Sequence, residues 1–208
     1  MAGSNDKSHG YEAVAEQFIA ARNSRIGPSV VREWCKSLPP GCAILDIACG
    51  HGVPTTQTLA EEGFQIYGVD ASPKLLAEFR KRFPAAQVQC TAAEDSDFFG
   101  RTFDAIICWG LMFILPIEVQ HTLMLKIARA LNPGGKFLFT STKDANTWND
   151  SLTGEESHSP GADWYCKVVN QAGLTVERET SDEGENYYFF TTKTWNQVHA
   201  VENCVPHH

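Results

Sequence analysis

Apolar residues along this chain follow two rhythms. The first is the short, nearly continuous run: Ala43, Ile44, Leu45 and Ile47, broken only by Asp46. A strand covered by helices on both faces of a parallel sheet needs that pattern. Comparable runs over 64–69, 88–91, 103–108 and 136–141 predict four more strands. The second rhythm is helical. It runs through 53–62, through 73–82 behind a Ser72 cap and a first-turn Pro73, and through 116–131. Upstream, Val14, Ala15, Phe18, Ile19 and Ala21 predict a helix over 11–22, and Val30, Val31, Trp34 and Leu38 predict another from Pro28. Pro39-Pro40-Gly41, Gly63 and Asn132-Pro133-Gly134-Gly135 punctuate the series. Strand and helix alternate, so the predicted architecture is α/β, a doubly wound and mostly parallel sheet.

The last quarter departs from that alternation. A helix is predicted over 161–172, stopped by Gly173. Two strands, 174–180 and 186–194, then flank Ser181-Asp182-Glu183-Gly184-Glu185. So short a link cannot hold a helical crossover, so the pair is an antiparallel hairpin that brings the sheet to seven strands. Residues 142–160 are polar and lack a period. Long loops in compact domains are functional or mobile, and this one is the expected cover of a substrate site. Residues 1–9 are polar and expected to be loose.

A chain of 208 residues, 43% hydrophobic and 20% charged, suits one domain with a full core. The net charge of −8 disfavours a nucleic-acid partner, because such binding relies on Lys and Arg neutralising phosphates. No membrane partner is expected either, since no run approaches the roughly 20 apolar residues of a span, and no secretory signal is seen. The seven cysteines (Cys35, Cys42, Cys49, Cys90, Cys108, Cys166, Cys204) lack C-x-x-C spacing, and several fall on predicted core strands. Reduced, mostly buried thiols, a cytoplasmic setting and no metal site are the expectation. His207 and His208 read as a solvated tail.

The candidate chemistry sits where predicted strands end. After the first strand the chain turns through Gly50, His51 and Gly52, with Asp46 just before the turn. Open α/β sheets bind ligands at the carboxyl ends of their strands. Asp70 ends the second strand 18 residues after Gly52 (70 − 52 = 18), where a carboxylate can accept both hydroxyls of a ribose; the bland alternative is a helix cap, a role Ser72 already fills. The glycine turn is a poor dinucleotide fingerprint, because Thr55 stands where a third glycine or alanine belongs. A carboxylate beside such a turn suits a positively charged ligand group, such as an ammonium or a sulfonium.

These segments, L-D-I-A-C-G-H-G, I-Y-G-V-D-A-S-P, A-A-E-D, T-F-D-A-I-I-C-W-G and R-A-L-N-P-G-G-K-F-L-F, occur in that order at predicted strand ends. With the terminal hairpin, they make nearly the whole chain resemble a class I S-adenosylmethionine-dependent methyltransferase of the small-molecule type. Two departures are Ala48, where the family usually has glycine, and Ala92, where an acidic residue often meets adenine. The resemblance implies that Asp46, Ala48 and the Gly50–His51–Gly52 backbone hold the methionine portion of S-adenosyl-L-methionine. It further implies that Asp70 binds the ribose, that Ala71 and Ser72 lie beside the adenine, and that Ala93 and Glu94 face its edge. Trp109 and Gly110 would border the cofactor, although Trp109 reads equally as core. Residues 1–40 would form a helical lid carrying Tyr11 and Phe18, 41–195 the core domain, and 196–208 a tail.

The resemblance implies a donor that arrives activated, so the protein aligns donor and nucleophile and excludes water. A general base is needed only for a nucleophile protonated at working pH, and His158, Tyr11, Asp163, Glu155 and His51 are candidates. Met112-Phe113-Ile114-Leu115 can line an apolar acceptor pocket or simply pack. The expected function is methyl transfer to a small-molecule acceptor. The alternatives are a nucleotide-dependent oxidoreductase and a cofactor-binding protein without catalysis.

Overall fold

A computed structural model describes residues 6–22 and 24–194. The tail 196–208, with Cys204, His207 and His208, lies outside the described residues, as do residues 1–5. Helices α1 (Ala15–Ala21) and α2 (Pro28–Cys35) precede the alternating unit. That unit comprises β1 (Ala43–Ile47), α3 (Thr55–Glu61), β2 (Gln65–Asp70), α4 (Pro73–Arg82), β3 (Gln87–Cys90), β4 (Phe103–Cys108), α5 (Ile117–Ala130) and β5 (Leu131–Ser141). A hairpin of β6 (Asn146–Asn149) and β7 (Glu156–Ser159) follows, then α6 (Ala162–Gln171), β8 (Leu174–Ser181) and β9 (Tyr187–Lys193).

Seven strands form one sheet in the order β3-β2-β1-β4-β5-β9-β8. The β3-to-β5 pairs are parallel, while β9 runs antiparallel to both β5 and β8. Successive strand residues point to opposite faces. Ile44, Ile107 and Leu138 therefore pack with Val31, Leu59, Leu76 and Phe79 of α2, α3 and α4. Their neighbours Leu45, Ile106 and Phe139 pack with Leu123, Ile127, Tyr165 and Val168 of α5 and α6. Burial on both faces is the reason these strands read as continuous apolar runs. The sheet reverses its winding at β1, which has β2 on one side and β4 on the other. A crevice opens outside the carboxyl ends of strands at such a reversal.

Three local expectations change. Residues 6–14 neither hang loose nor extend α1. The Asp6 carboxylate accepts the Ser8 and Gly10 N–H groups, and the Ser8 hydroxyl accepts the Glu12 N–H. With His9 and Gly10 at positive φ, these side-chain bonds wind the segment into turns and delay the helix to Ala15. The predicted turn at Asn132–Gly135 becomes an irregularity inside β5, where pairing with β4 jumps from Phe103–Leu131 to Ala105–Lys136.

The third change is the segment 142–160, which contains the ordered β6–β7 hairpin rather than a featureless loop. Trp148 packs on Phe113 at 5.3 Å between ring centroids. Beneath the hairpin, the buried Gln120 amide donates to the carbonyls of His158 (2.9 Å) and Leu115 (2.8 Å). Tyr165 donates to the Gln120 carbonyl oxygen at 2.6 Å, and Ser141 lies within 3.1 Å of Ser159 and 2.8 Å of Tyr165. A buried polar network satisfied in this way rigidifies what it joins.

Candidate active site

The crevice beyond β1 and β4 is a cavity, and the N-terminal segment forms one of its walls. Tyr11, Phe18 and Arg22 line it from that segment, Asp46 from β1 itself, Ala48, Gly50 and His51 from the turn after it, and Asp70 and Ala71 from the end of β2. Ala92, Ala93 and Glu94 follow β3, Trp109 to Leu111 follow β4, and Asp150 and Asn186 come from the two hairpin turns.

Asp46 is 1% exposed, and its Oδ2 accepts the Thr56 hydroxyl at 2.6 Å. Burial pushes its carboxyl up to about 7; the Thr56 bond opposes that, Asp70 adds to it, and Arg22 opposes it at longer range. Asp70 accepts the Gly50 N–H on one oxygen and the Ser72 N–H on the other, both at 2.8 Å. Burial also raises its carboxyl, with those two bonds opposing. A carboxylate oxygen has two lone pairs, so each still has one to offer a ligand. Burial, helped by Arg82 and Arg22, depresses His51 to about 4, which keeps its imidazole neutral. Arg22 lies with its guanidinium 4.5 Å from the Trp109 ring and 5.4 Å from Phe18. Burial lowers its pKa, and Tyr188, Tyr11, Asp182 and Asp46 oppose that.

The wall over the cavity is fastened at three places. Lys7 reaches Glu94 (3.1 Å) and Asp95 (3.3 Å). The Glu12 carboxylate accepts the Ser72 hydroxyl and the Lys74 N–H. Tyr11 donates its phenol to Asp150 at 3.0 Å.

A family profile described as a methyltransferase domain matches residues 44–135, which span β1 to the start of β5. An uncharacterized methyltransferase of Synechocystis is 32% identical over 113 residues, 54% of this chain and 52% of that protein. The putative methyltransferase YqeM of Bacillus subtilis is 30% identical over 164 residues, 73% of this chain and 66% of the relative. A 1,6-didemethyltoxoflavin-N1-methyltransferase of Burkholderia thailandensis, solved with S-adenosylhomocysteine, shares the fold at a TM-score of 0.68, 18% identity and 90% coverage of both chains. The chain belongs to the class I S-adenosylmethionine-dependent methyltransferase family. It spans about half the length of the Synechocystis relative it matches.

The family's cofactor is S-adenosyl-L-methionine, and the residues present fit it. A buried carboxylate with a hydroxyl partner and no salt bridge among the described residues suits an ammonium. Arg22 suits the carboxylate next to that ammonium, and the free lone pairs of Asp70 suit a diol.

Of the residues singled out in the sequence, the cavity brings together Asp46, Ala48, Gly50, His51, Asp70, Ala71, Ala93, Glu94, Trp109, Gly110 and Tyr11. Gly52, Ser72 and His158 lie outside its lining. Gly52, at φ +84°, has its Cβ direction filled by the rings of Phe83 and Phe79, so glycine is there for packing on α4. Ser72 is fully buried; its hydroxyl accepts the Leu75 N–H at 3.2 Å while donating to Glu12. His158 sits on β7 beside Glu156 at 3.3 Å, and Glu155 and Asp163 are also outside the lining. Trp109 is both things at once, a core residue at 8% exposure and part of the cavity wall. Ala48 adopts φ +58°, the left-handed region where a glycine would be unstrained.

Sequence reasoning missed Arg22, Asn186 and the part played by Asp150. Arg22 follows a short helix with nothing in its neighbours to mark it. Asp150 lies in a hairpin held by one tryptophan and a polar network, which leaves no periodic signature.

Proposed function

We propose that this methyltransferase transfers the methyl group of S-adenosyl-L-methionine to a small-molecule acceptor. The observation that carries the reading is the Asp46 carboxylate, buried beside the glycine turn with its charge uncompensated at close range. When bound, the cofactor supplies a methyl group already activated on a sulfonium. In this reading Asp46 accepts its ammonium, Arg22 pairs with its carboxylate, Asp70 accepts the ribose hydroxyls, and Ala71, Ala93 and Glu94 border the adenine. Trp109 and Gly110 lie at the junction with the acceptor, whose side of the cavity is walled by Leu111, Phe113, Ile114 and Leu115. Tyr11 and Asp150, already hydrogen-bonded to each other, are the polar groups that can orient an acceptor N–H or O–H.

Residues 1–40 act as the lid and 41–195 as the catalytic core. A cavity walled by the N-terminal segment and two hairpin turns favours a small acceptor over a folded macromolecule. The net charge of −8 supports the same choice against nucleic acid. Free thiols at Cys35, Cys42, Cys49, Cys90, Cys108 and Cys166 support a reducing, cytoplasmic setting. The test is calorimetric titration with S-adenosylhomocysteine and with NAD, followed by incubation of a metabolite extract with methyl-labelled cofactor and mass spectrometry of the products. Saturable binding of S-adenosylhomocysteine and one labelled product are expected. Binding of NAD alone would overturn the reading, and cofactor binding with no labelled product would leave a binding protein without catalysis.

A further inference from the structure

The segment that borders the expected adenine position is held from behind by a lysine that does not line the cavity. Lys126, on α5, donates to the carbonyl oxygens of Ala93 and Glu94, both at 3.0 Å. Its ammonium also sits 4.5 Å from the centre of the buried Phe98 ring, which fixes its approach. Burial lowers its pKa, so these bonds form in a partly desolvated place, where they are stronger than in water.

The Ala93 carbonyl and the Glu94 N–H belong to one peptide unit and point in opposite directions across it. With Lys126 gripping the carbonyl from the α5 side, the Glu94 N–H is turned away from Lys126. That N–H has no acceptor among the described residues, whereas the next two, on Asp95 and Ser96, both bond back to the Ala92 carbonyl at 3.1 and 2.9 Å. Ala93 and Glu94 line the cavity and Lys126 does not. An unpartnered backbone donor at a cavity wall calls for a ligand acceptor.

We propose that Lys126 is a positioning residue for base recognition: by clamping the Ala93 and Glu94 carbonyls, it aims and polarises the Glu94 N–H at a ring-nitrogen acceptor of the cofactor's purine. The inference rests on the cofactor reading above. Adenine offers an unprotonated N1 beside its exocyclic amine, whereas hypoxanthine carries a hydrogen on N1 and a carbonyl in place of the amine. A fixed N–H donor therefore selects the first base over the second.

The experiment compares the affinities of S-adenosylhomocysteine and S-inosylhomocysteine for wild type, Lys126→Met and Lys126→Arg, with circular dichroism and thermal melting as folding controls. Wild type is expected to prefer the adenine form. Lys126→Met is expected to narrow that preference by about tenfold, the cost of a misaligned hydrogen bond, chiefly by weakening the adenine form. Lys126→Arg restores much of it. If Lys126→Met does not fold, Lys126→Gln, whose shorter and uncharged side chain weakens the clamp, must narrow the preference in the same direction. An equal loss for both ligands, or an unchanged ratio in whichever variant folds, overturns the proposal, because a merely structural lysine moves both affinities together. Failure of wild type to bind S-adenosylhomocysteine would instead sink the cofactor reading.

Discussion

On the proposed reading, Asp46 links cofactor affinity to the stability of the unliganded protein. Its carboxyl is pushed up to about 7 in the folded chain, chiefly by burial, against about 3.9 for an unfolded aspartate. The folded value is the higher one, so between these pH values the native state holds a proton that the unfolded state has released. Stability therefore falls as pH rises through that window. Three units at 1.36 kcal/mol each place the full cost at about 4 kcal/mol above pH 7. Asp46→Asn removes the charge and keeps an oxygen for the Thr56 hydroxyl, so at pH 8 the unliganded variant is expected to be more stable by about 2–4 kcal/mol. Cofactor binding runs the other way. An ammonium needs the ionised carboxylate, so affinity for S-adenosylhomocysteine falls about tenfold per unit below pH 7, or about 100-fold from pH 7 to 5. Asp70, also raised by burial, adds to the acid loss; Asp46→Asn isolates the Asp46 share by flattening the slope while lowering affinity at pH 8. Calorimetric titration from pH 5 to 8.5 and thermal melting of the unliganded proteins read both effects. A pH-independent affinity in wild type, or a variant less stable than wild type at pH 8 that binds equally well, would refute the reasoning.

Arg22→Met is expected to weaken S-adenosylhomocysteine by roughly 10–100-fold, the scale of a lost charged hydrogen bond, and to leave 5′-methylthioadenosine, which lacks the amino-acid portion, unchanged; equal losses for both would count against a carboxylate partner. Gly52→Ala brings a Cβ against Phe83 at a positive φ and is expected to cost about 2–4 kcal/mol, read by urea unfolding and contradicted by an unchanged midpoint. Ala48→Gly relieves left-handed strain and is expected to stabilise by about 0.5–1 kcal/mol, checked by the same titration. Gln120→Leu takes away the acceptor of the Tyr165 O–H and the donor of two carbonyls and is expected to cost about 3 kcal/mol, with loss of hairpin protection in hydrogen exchange; full protection would show that the network is dispensable.

What could be read in advance was whatever burial imprints on a chain. Ile44, Leu45, Ile106 and Ile107 announce two-sided strands because both faces are covered, and the five residues from Ser181 to Glu185 forbid a crossover. Asp46 and Asp70 stood out because a carboxylate at a strand end is costly unless used. The β6–β7 hairpin gave no such sign, since Asn146, Thr147 and Asn149 are exposed and the anchors lie in Trp148 and the distant Gln120. The turns of 6–14 were hidden because helical spacing was present and short-range bonds from Asp6 and Ser8 overrode it. Arg22 and Lys126 act across gaps of sequence, on Trp109 and on Ala93 and Glu94, and only the folded chain brings those partners within reach.

The three fastenings of the N-terminal segment differ in how they answer to solution conditions. Lys7 is half exposed, so its pairs with Glu94 and Asp95 add little stability and fade as ions screen them. The bond from Tyr11 to Asp150 joins a neutral phenol to a carboxylate and is less sensitive to salt. Added electrolyte therefore loosens the Lys7 corner of this segment first, while the Glu12 and Tyr11 fastenings hold. On the proposed cofactor reading, exchange of the ligand is expected to start at that corner as a one-sided peeling and to quicken with ionic strength, while the contacts on the floor stay as they were.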